Sequence, residues 1–91
     1  MKTIDRPQYV RLIRVRYHGP TESRGSRVSI SADFPLLGEK KRIYEGYDYE
    51  TSGSLDQGLA MIRELHNFDI VSFSEDANSY IVAVKRMEIQ Q

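Results

Sequence analysis

Apolar and polar residues alternate over residues 9–18, Tyr-Val-Arg-Leu-Ile-Arg-Val-Arg-Tyr-His, most regularly in the second half. A period of two predicts a half-buried strand. Ile13, Val15 and Tyr17 then leave one face and Arg14, Arg16 and His18 the other, because successive side chains of a strand alternate. Gly19-Pro20-Thr21-Glu22-Ser23-Arg24-Gly25-Ser26 has the composition of a loop or hairpin connection. Alternation resumes over residues 27–32, with Val28, Ile30 and Ala32 inward and Arg27, Ser29 and Ser31 outward. Residues 33–40, punctuated by Pro35 and Gly38, read as a longer loop whose Phe34, Leu36 and Leu37 tuck against the core. Residues 41–50 carry Ile43, Tyr44, Tyr47 and Tyr49 and predict a third strand, with Gly46 marking a bulge or a close backbone approach.

Thr51-Ser52-Gly53 interrupts this strand pattern, and Ser54-Leu55-Asp56-Gln57 has the form of a capping box. In that motif the Ser54 hydroxyl accepts from the third helical amide and Gln57 reaches back. Leu55, Leu59, Ile62 and Leu65 or His66 recur at helical spacing, with Met61 beside them, and predict a helix of about three turns ending near Asn67. Gly58 weakens this helix by up to about 1 kcal/mol relative to alanine, so it needs a sheet beneath it. Two further strand-like runs, residues 69–74 and 80–87, flank a polar connection of hairpin length, Glu75-Asp76-Ala77-Asn78-Ser79. The order β-β-β-α-β-β predicts one α+β domain over residues 1–91, a single mostly antiparallel sheet of about five strands with one helix packed on one face.

The chain has no cysteine, so neither disulfides nor thiolate metal sites enter the picture and the apolar core stabilises the fold unaided. No stretch reaches the roughly 20 apolar residues of a membrane span, and residues 1–7 lack the apolar run of a secretory signal. These features lead us to expect a cytoplasmic protein without a membrane partner. Formal net charge is zero, yet residues 1–27 hold Lys2, Arg6, Arg11, Arg14, Arg16, Arg24 and Arg27 against Asp5 and Glu22, a net of +5 that the remainder balances. Guanidinium groups bind phosphate in bidentate fashion. The same arginines can instead pair with the acidic remainder.

Catalytic chemistry has little to stand on. Two histidines far apart give no metal-ligand spacing. Of Glu45, Asp48 and Glu50 only Asp48 and Glu50 share a strand face, so the trio meets at a metal only if Gly46 re-aims it. His18 near Ser23 or Ser26 is the one local base and hydroxyl pairing, with Glu22 as its sole orienting acid; His18 otherwise reads as a polar strand end and His66 as the last turn of a helix. We therefore expect no enzyme, no cofactor and no bound metal.

The segment Tyr17-His18-Gly19-Pro20-Thr21-Glu22-Ser23-Arg24-Gly25-Ser26-Arg27 is the most distinctive stretch of the chain. Its glycines permit close backbone approach amid hydroxyls and guanidiniums, a composition able to cradle an anion, although it has neither the lysine and spacing of a P-loop nor a dinucleotide glycine triplet. Tyr17, Gly19-Pro20-Thr21 and Arg24-Gly25-Ser26-Arg27 resemble the strand-loop-strand signature of a group of small proteins of phages, plasmids and related bacterial mobile elements. The layout is similar over residues 9–87, with the close match confined to residues 17–27. After Ala32 the chain departs from the pattern, where Phe34-Pro35-Leu36-Leu37 and a tyrosine-rich strand replace a more polar middle. The resemblance implies a mobile-element origin and the same α+β plan, and it brings no activity or catalytic residue with it.

Two functions remain. A nucleic-acid or phosphate binder would use Arg14, Arg16, Tyr17, Arg24 and Arg27, with Tyr17 or Tyr9 stacking on a base. A protein-binding inhibitor or adaptor, directed at a host factor or host defence complex, would use Arg42, Tyr44, Tyr47 and Tyr49, since Tyr and Arg are enriched at interface hot spots. Those tyrosines equally suit the plain task of covering a sheet face. Zero net charge weighs against tight non-specific DNA binding and leaves protein binding untouched, so the sequence favours a non-enzymatic, partner-binding protein with a host protein as partner. Nucleic-acid binding is the alternative, and a small enzyme with an unrecognised site the second. The protein is expected to be a monomer, or a homodimer through an exposed edge strand.

Overall fold

A computed structural model describes residues 10–50 and 53–86; Tyr9, the Thr51-Ser52 break and the end of the last predicted strand at Met87 lie outside the described residues. Six elements follow one another as β1 (Arg11–His18), β2 (Arg27–Ser31), β3 (Arg42–Gly46), α1 (Ser54–Glu64), β4 (Phe68–Asp76) and β5 (Ser79–Arg86). The strands form one sheet in the spatial order β3-β2-β1-β5-β4 with every neighbouring pair antiparallel. The first strand in sequence is thus the central one. Helix α1 carries the chain from one edge strand to the other and packs on β1, β2 and β4, giving the α+β architecture that the element order predicts.

The core lies between the sheet and α1. Ile13, Val15, Val28, Ile30, Val82 and Val84 are fully buried on the three middle strands, and Leu59, Met61 and Ile62 meet them from the helix. Each such side chain contributes about 1.5–3 kcal/mol through removal from water. Phe34 and Leu36 close one end as the sequence predicts, Phe34 stacking edge-on against Phe68 at 5.7 Å. Leu37 does not join them and is exposed, because the tight turn through Gly38 (φ 59°), closed by the Lys40 amide donating to the Leu37 carbonyl at 2.9 Å, points it outward.

Other local expectations are corrected. No capping box forms. Gly53 (φ 141°) occupies the N-cap position without a side-chain hydrogen bond, and Gln57, 2 % exposed, turns away from the helix end toward the sheet. Its Oε1 accepts from the Asp48 amide at 2.9 Å, and its Nε2 donates to the Gly46 carbonyl at 2.8 Å and to Glu45 Oε1 at 3.2 Å. Anchoring the end of β3 to the helix thus takes the place of capping. Gly46 is no bulge; it ends β3 opposite Arg27, after which the Tyr47 amide donates to the Ser26 carbonyl. The sheet's irregularity lies instead in β4 at Val71, where the register with β5 shifts between Ile70 and Ser72. The helix ends before Asn67, with Leu65 as C-cap and His66 in the left-handed region at φ 60°. The β4–β5 hairpin is tighter than the polar run implies, turning through Ala77 (φ 53°) and Asn78.

Candidate functional site

Strand parity and cross-strand register together define the sheet face opposite α1. Arg16 stands between Ser79 of β5 and Ser29 of β2, and Ser29 stands beside Tyr44 of β3. One row along, Arg14 lies between Ile81 and Ser31, and Ser31 beside Arg42. At the end of the face His18 pairs with Arg27. Five positively charged or titratable side chains, Arg14, Arg16, His18, Arg27 and Arg42, therefore share one side of the sheet with three serines and a tyrosine. Among the described residues no element packs over them, since the helix covers the other face.

The charges on this face are only partly neutralised. Among the described residues the ion pair is Arg14–Asp76, 3.2 Å apart and half exposed, with Arg14 also donating to Ser79 Oγ. Such a surface pair is worth little, but together with Ser79 it holds the Arg14 head toward β5. Arg16, Arg27 and Arg42 have no carboxylate partner among the described residues. Arg27 lies over the Tyr44 ring at 4.8 Å, a cation–π contact, and its Nε is buried without a hydrogen-bond acceptor.

His18 Nε2 is 2.8 Å from Ser29 Oγ, and its ring packs at 5.4 Å against Tyr44. Burial first, and then the neighbouring Arg27, Arg16 and Arg42, push the His18 pKa below its ordinary value of 6.5. His18 thus engages Ser29, not Ser23 or Ser26. Arg14, Arg16, His18, Ser29, Ser31 and Arg42 enclose a cavity of about 230 Å³. Beside it a cavity of about 520 Å³ shares Arg14, Ser31 and Arg42 and has Leu12, Val10 and Ile81 in its walls.

The two residue sets read from the sequence are redistributed. Arg14, Arg16 and Arg27 do share a face, joined by Arg42 and Tyr44 from the set assigned to protein contact. Tyr17 is on the helix side, where it meets Tyr47 edge-on at 5.2 Å, and Tyr47 meets Tyr49 at 4.8 Å. The Tyr17 and Tyr49 hydroxyls both donate to Ser26 Oγ, at 2.9 and 3.2 Å. Arg42 and Tyr44 therefore do not form one surface with Tyr47 and Tyr49. Arg24 stays in the β1–β2 connection and lines neither cavity.

In that connection Thr21 and Arg24 bond to each other. The Thr21 amide donates to the Arg24 carbonyl at 2.7 Å and the Arg24 amide to Thr21 Oγ1 at 3.1 Å, which closes the turn between them. A β-carbon at Gly19 or Gly25 would meet nothing within 4 Å. The acidic trio does not converge either: Glu45 receives Gln57, while Asp48 Oδ1 accepts from the Glu50 amide at 2.9 Å. Among the described residues no three His, Cys, Asp or Glu side chains are placed to hold a metal ion, and no helix is long and apolar enough to cross a membrane.

Ser29, Ser31 and His18 are the site residues the sequence argument did not assign. Their parity with Arg14 and Arg16 was visible in the alternation, but the register that sets Arg42 against Ser31 was not. No protein-family model, curated protein or solved structure matches the chain.

Proposed function

We propose that the protein binds single-stranded nucleic acid across the sheet face opposite α1, without catalysing a reaction. The observation that carries this reading is the set Arg16, Arg27 and Arg42, three guanidiniums without carboxylate partners on one uncovered face. Guanidiniums left unpaired beside serine hydroxyls suit phosphate oxygens, which take two parallel N–H bonds from each fork. Tyr44, 44 % exposed within the basic field, offers a ring for base stacking. A broad sheet cannot enter the major groove as a helix or a two-stranded ribbon does, whereas a strand with splayed bases can lie along it. Zero net charge is compatible with this, because Glu45, Asp56, Glu64 and Glu75 lie off the basic face.

Binding to a host protein through tyrosines is the weaker reading, since Tyr44 is separated from Tyr47 and Tyr49, and Tyr47 packs against Tyr17 and the core. Fluorescence anisotropy of labelled single-stranded and duplex oligonucleotides across roughly 50–200 mM salt tests the proposal. The single strand should bind more tightly, with affinity falling steeply as salt rises. Absence of binding to either at the lowest salt removes it and returns the search to protein partners.

A further inference from the structure

Resting on that reading, we infer that the cavity enclosed by Arg14, Arg16, His18, Ser29, Ser31 and Arg42 is a pocket for a nucleotide phosphomonoester, above all the phosphorylated end of a strand. Its lining supplies guanidiniums from two strands, Arg14 and Arg16 of β1 and Arg42 of β3, with the Ser29 and Ser31 hydroxyls of β2 between them. Arg14 is anchored by Asp76 and Ser79, and Ser29 by His18. Arg16, Arg42 and Ser31 are left to turn toward a ligand.

An internal phosphodiester carries a single charge and two unbridged oxygens. A phosphomonoester carries nearly two charges at pH 7 and three strong acceptor oxygens, which better match these donors. At about 230 Å³ the cavity has room for such a group. The adjoining cavity of about 520 Å³ continues past the shared Arg14, Ser31 and Arg42 onto Leu12 and Ile81. A polar pocket opening onto a half-apolar one matches the polarity of a nucleotide, phosphate followed by sugar and base.

The test uses one short oligonucleotide in three forms, with a 5′-phosphate, with a 3′-phosphate and with hydroxyls at both ends, bound at pH 7.5 to the wild type and to Arg42→Gln. Arg42 is exposed on an edge strand, and thermal melting of the variant verifies that it folds. One phosphorylated form should bind about tenfold more tightly than the hydroxyl form, the scale of one charge-assisted contact, and Arg42→Gln should abolish that preference. A free nucleoside monophosphate that competes as well as the phosphorylated strand would support the pocket and identify the free nucleotide as its ligand. Equal affinity for all three forms overturns the phosphomonoester pocket and leaves strand binding in place. A preference that survives in Arg42→Gln overturns its assignment to this cavity, and no binding in any form overturns both readings.

Discussion

Gly58 of α1 sits directly on Val15 of the central strand: a β-carbon at position 58 would lie 2.4 Å from Val15 Cγ1 and 2.7 Å from Cγ2. The glycine that weakens the helix in isolation is what lets it reach the sheet. Alanine at this position gains up to about 1 kcal/mol in helix propensity but overpacks a core at a typical cost of about 1–3 kcal/mol. Val15 is fully buried and β-branched, so it cannot swing aside. Gly58→Ala should therefore lower stability by about 1 kcal/mol net, a fall in Tm of roughly 4–8 °C, where a propensity argument alone expects a rise. Thermal melting of the variant distinguishes the two.

Gln57 provides a second check on the helix–sheet junction. Gln57→Leu keeps the bulk and removes the side-chain partner of the Gly46 carbonyl and the Asp48 amide, which should cost about 1–3 kcal/mol. Gln57→Glu keeps the acceptor for Asp48 but turns a carboxylate toward Glu45 and the Gly46 carbonyl. Its loss should exceed that of Gln57→Leu at pH 7 and shrink toward pH 4 as the new carboxyl protonates. Denaturant midpoints at the two pH values measure both.

These two residues also mark how far the sequence could be read. Period-two alternation disclosed β1 and β2 and put Arg14, Arg16 and His18 on one face, because one side of each strand is buried and the pattern is strict. The capping box failed because Gln57 found three partners at the end of β3, a tertiary competition that no local motif records. The grouping of Arg42 and Tyr44 with Tyr47 and Tyr49 failed for a similar reason. Gly46 ends β3, so the two halves of that segment leave for opposite sides of the sheet. For the basic face the missing information was register, which decides which charges become neighbours.

His18 should make stability pH-dependent in a definite direction. Burial, Arg27, Arg16 and Arg42 depress its pKa in the folded protein, so between that value and about 6.5 the unfolded chain binds more protons. Its stabilising contribution is present above 6.5, declines as pH falls through that window, and stays low below the folded pKa. Compared with His18→Gln, the wild type should lose stability between pH 7.5 and pH 5. Equal pH dependence of the two proteins in urea unfolding would show that His18 titrates normally.

The salt dependence of strand binding should follow the face and spare the loop. Each phosphate neutralised on a single strand contributes about 0.7 to the slope of log affinity against log salt, so Arg16→Ala with Arg42→Ala should reduce that slope by about 1.4. Arg24→Ala, in a loop that lines neither cavity, should change slope and affinity much less. The reverse ranking would move the site to the β1–β2 connection.

The most direct measurement is an NMR titration of the labelled protein with a short single-stranded oligonucleotide, following backbone amides and arginine side chains. Binding on the uncovered face should shift Arg16, Ser29, Ser31, Arg42 and Tyr44 while leaving Gln57, Leu59 and Ile62 of α1 in place. Shifts centred on Tyr17, Tyr47, Tyr49 and the helix, or none at all at saturating strand, would contradict the account.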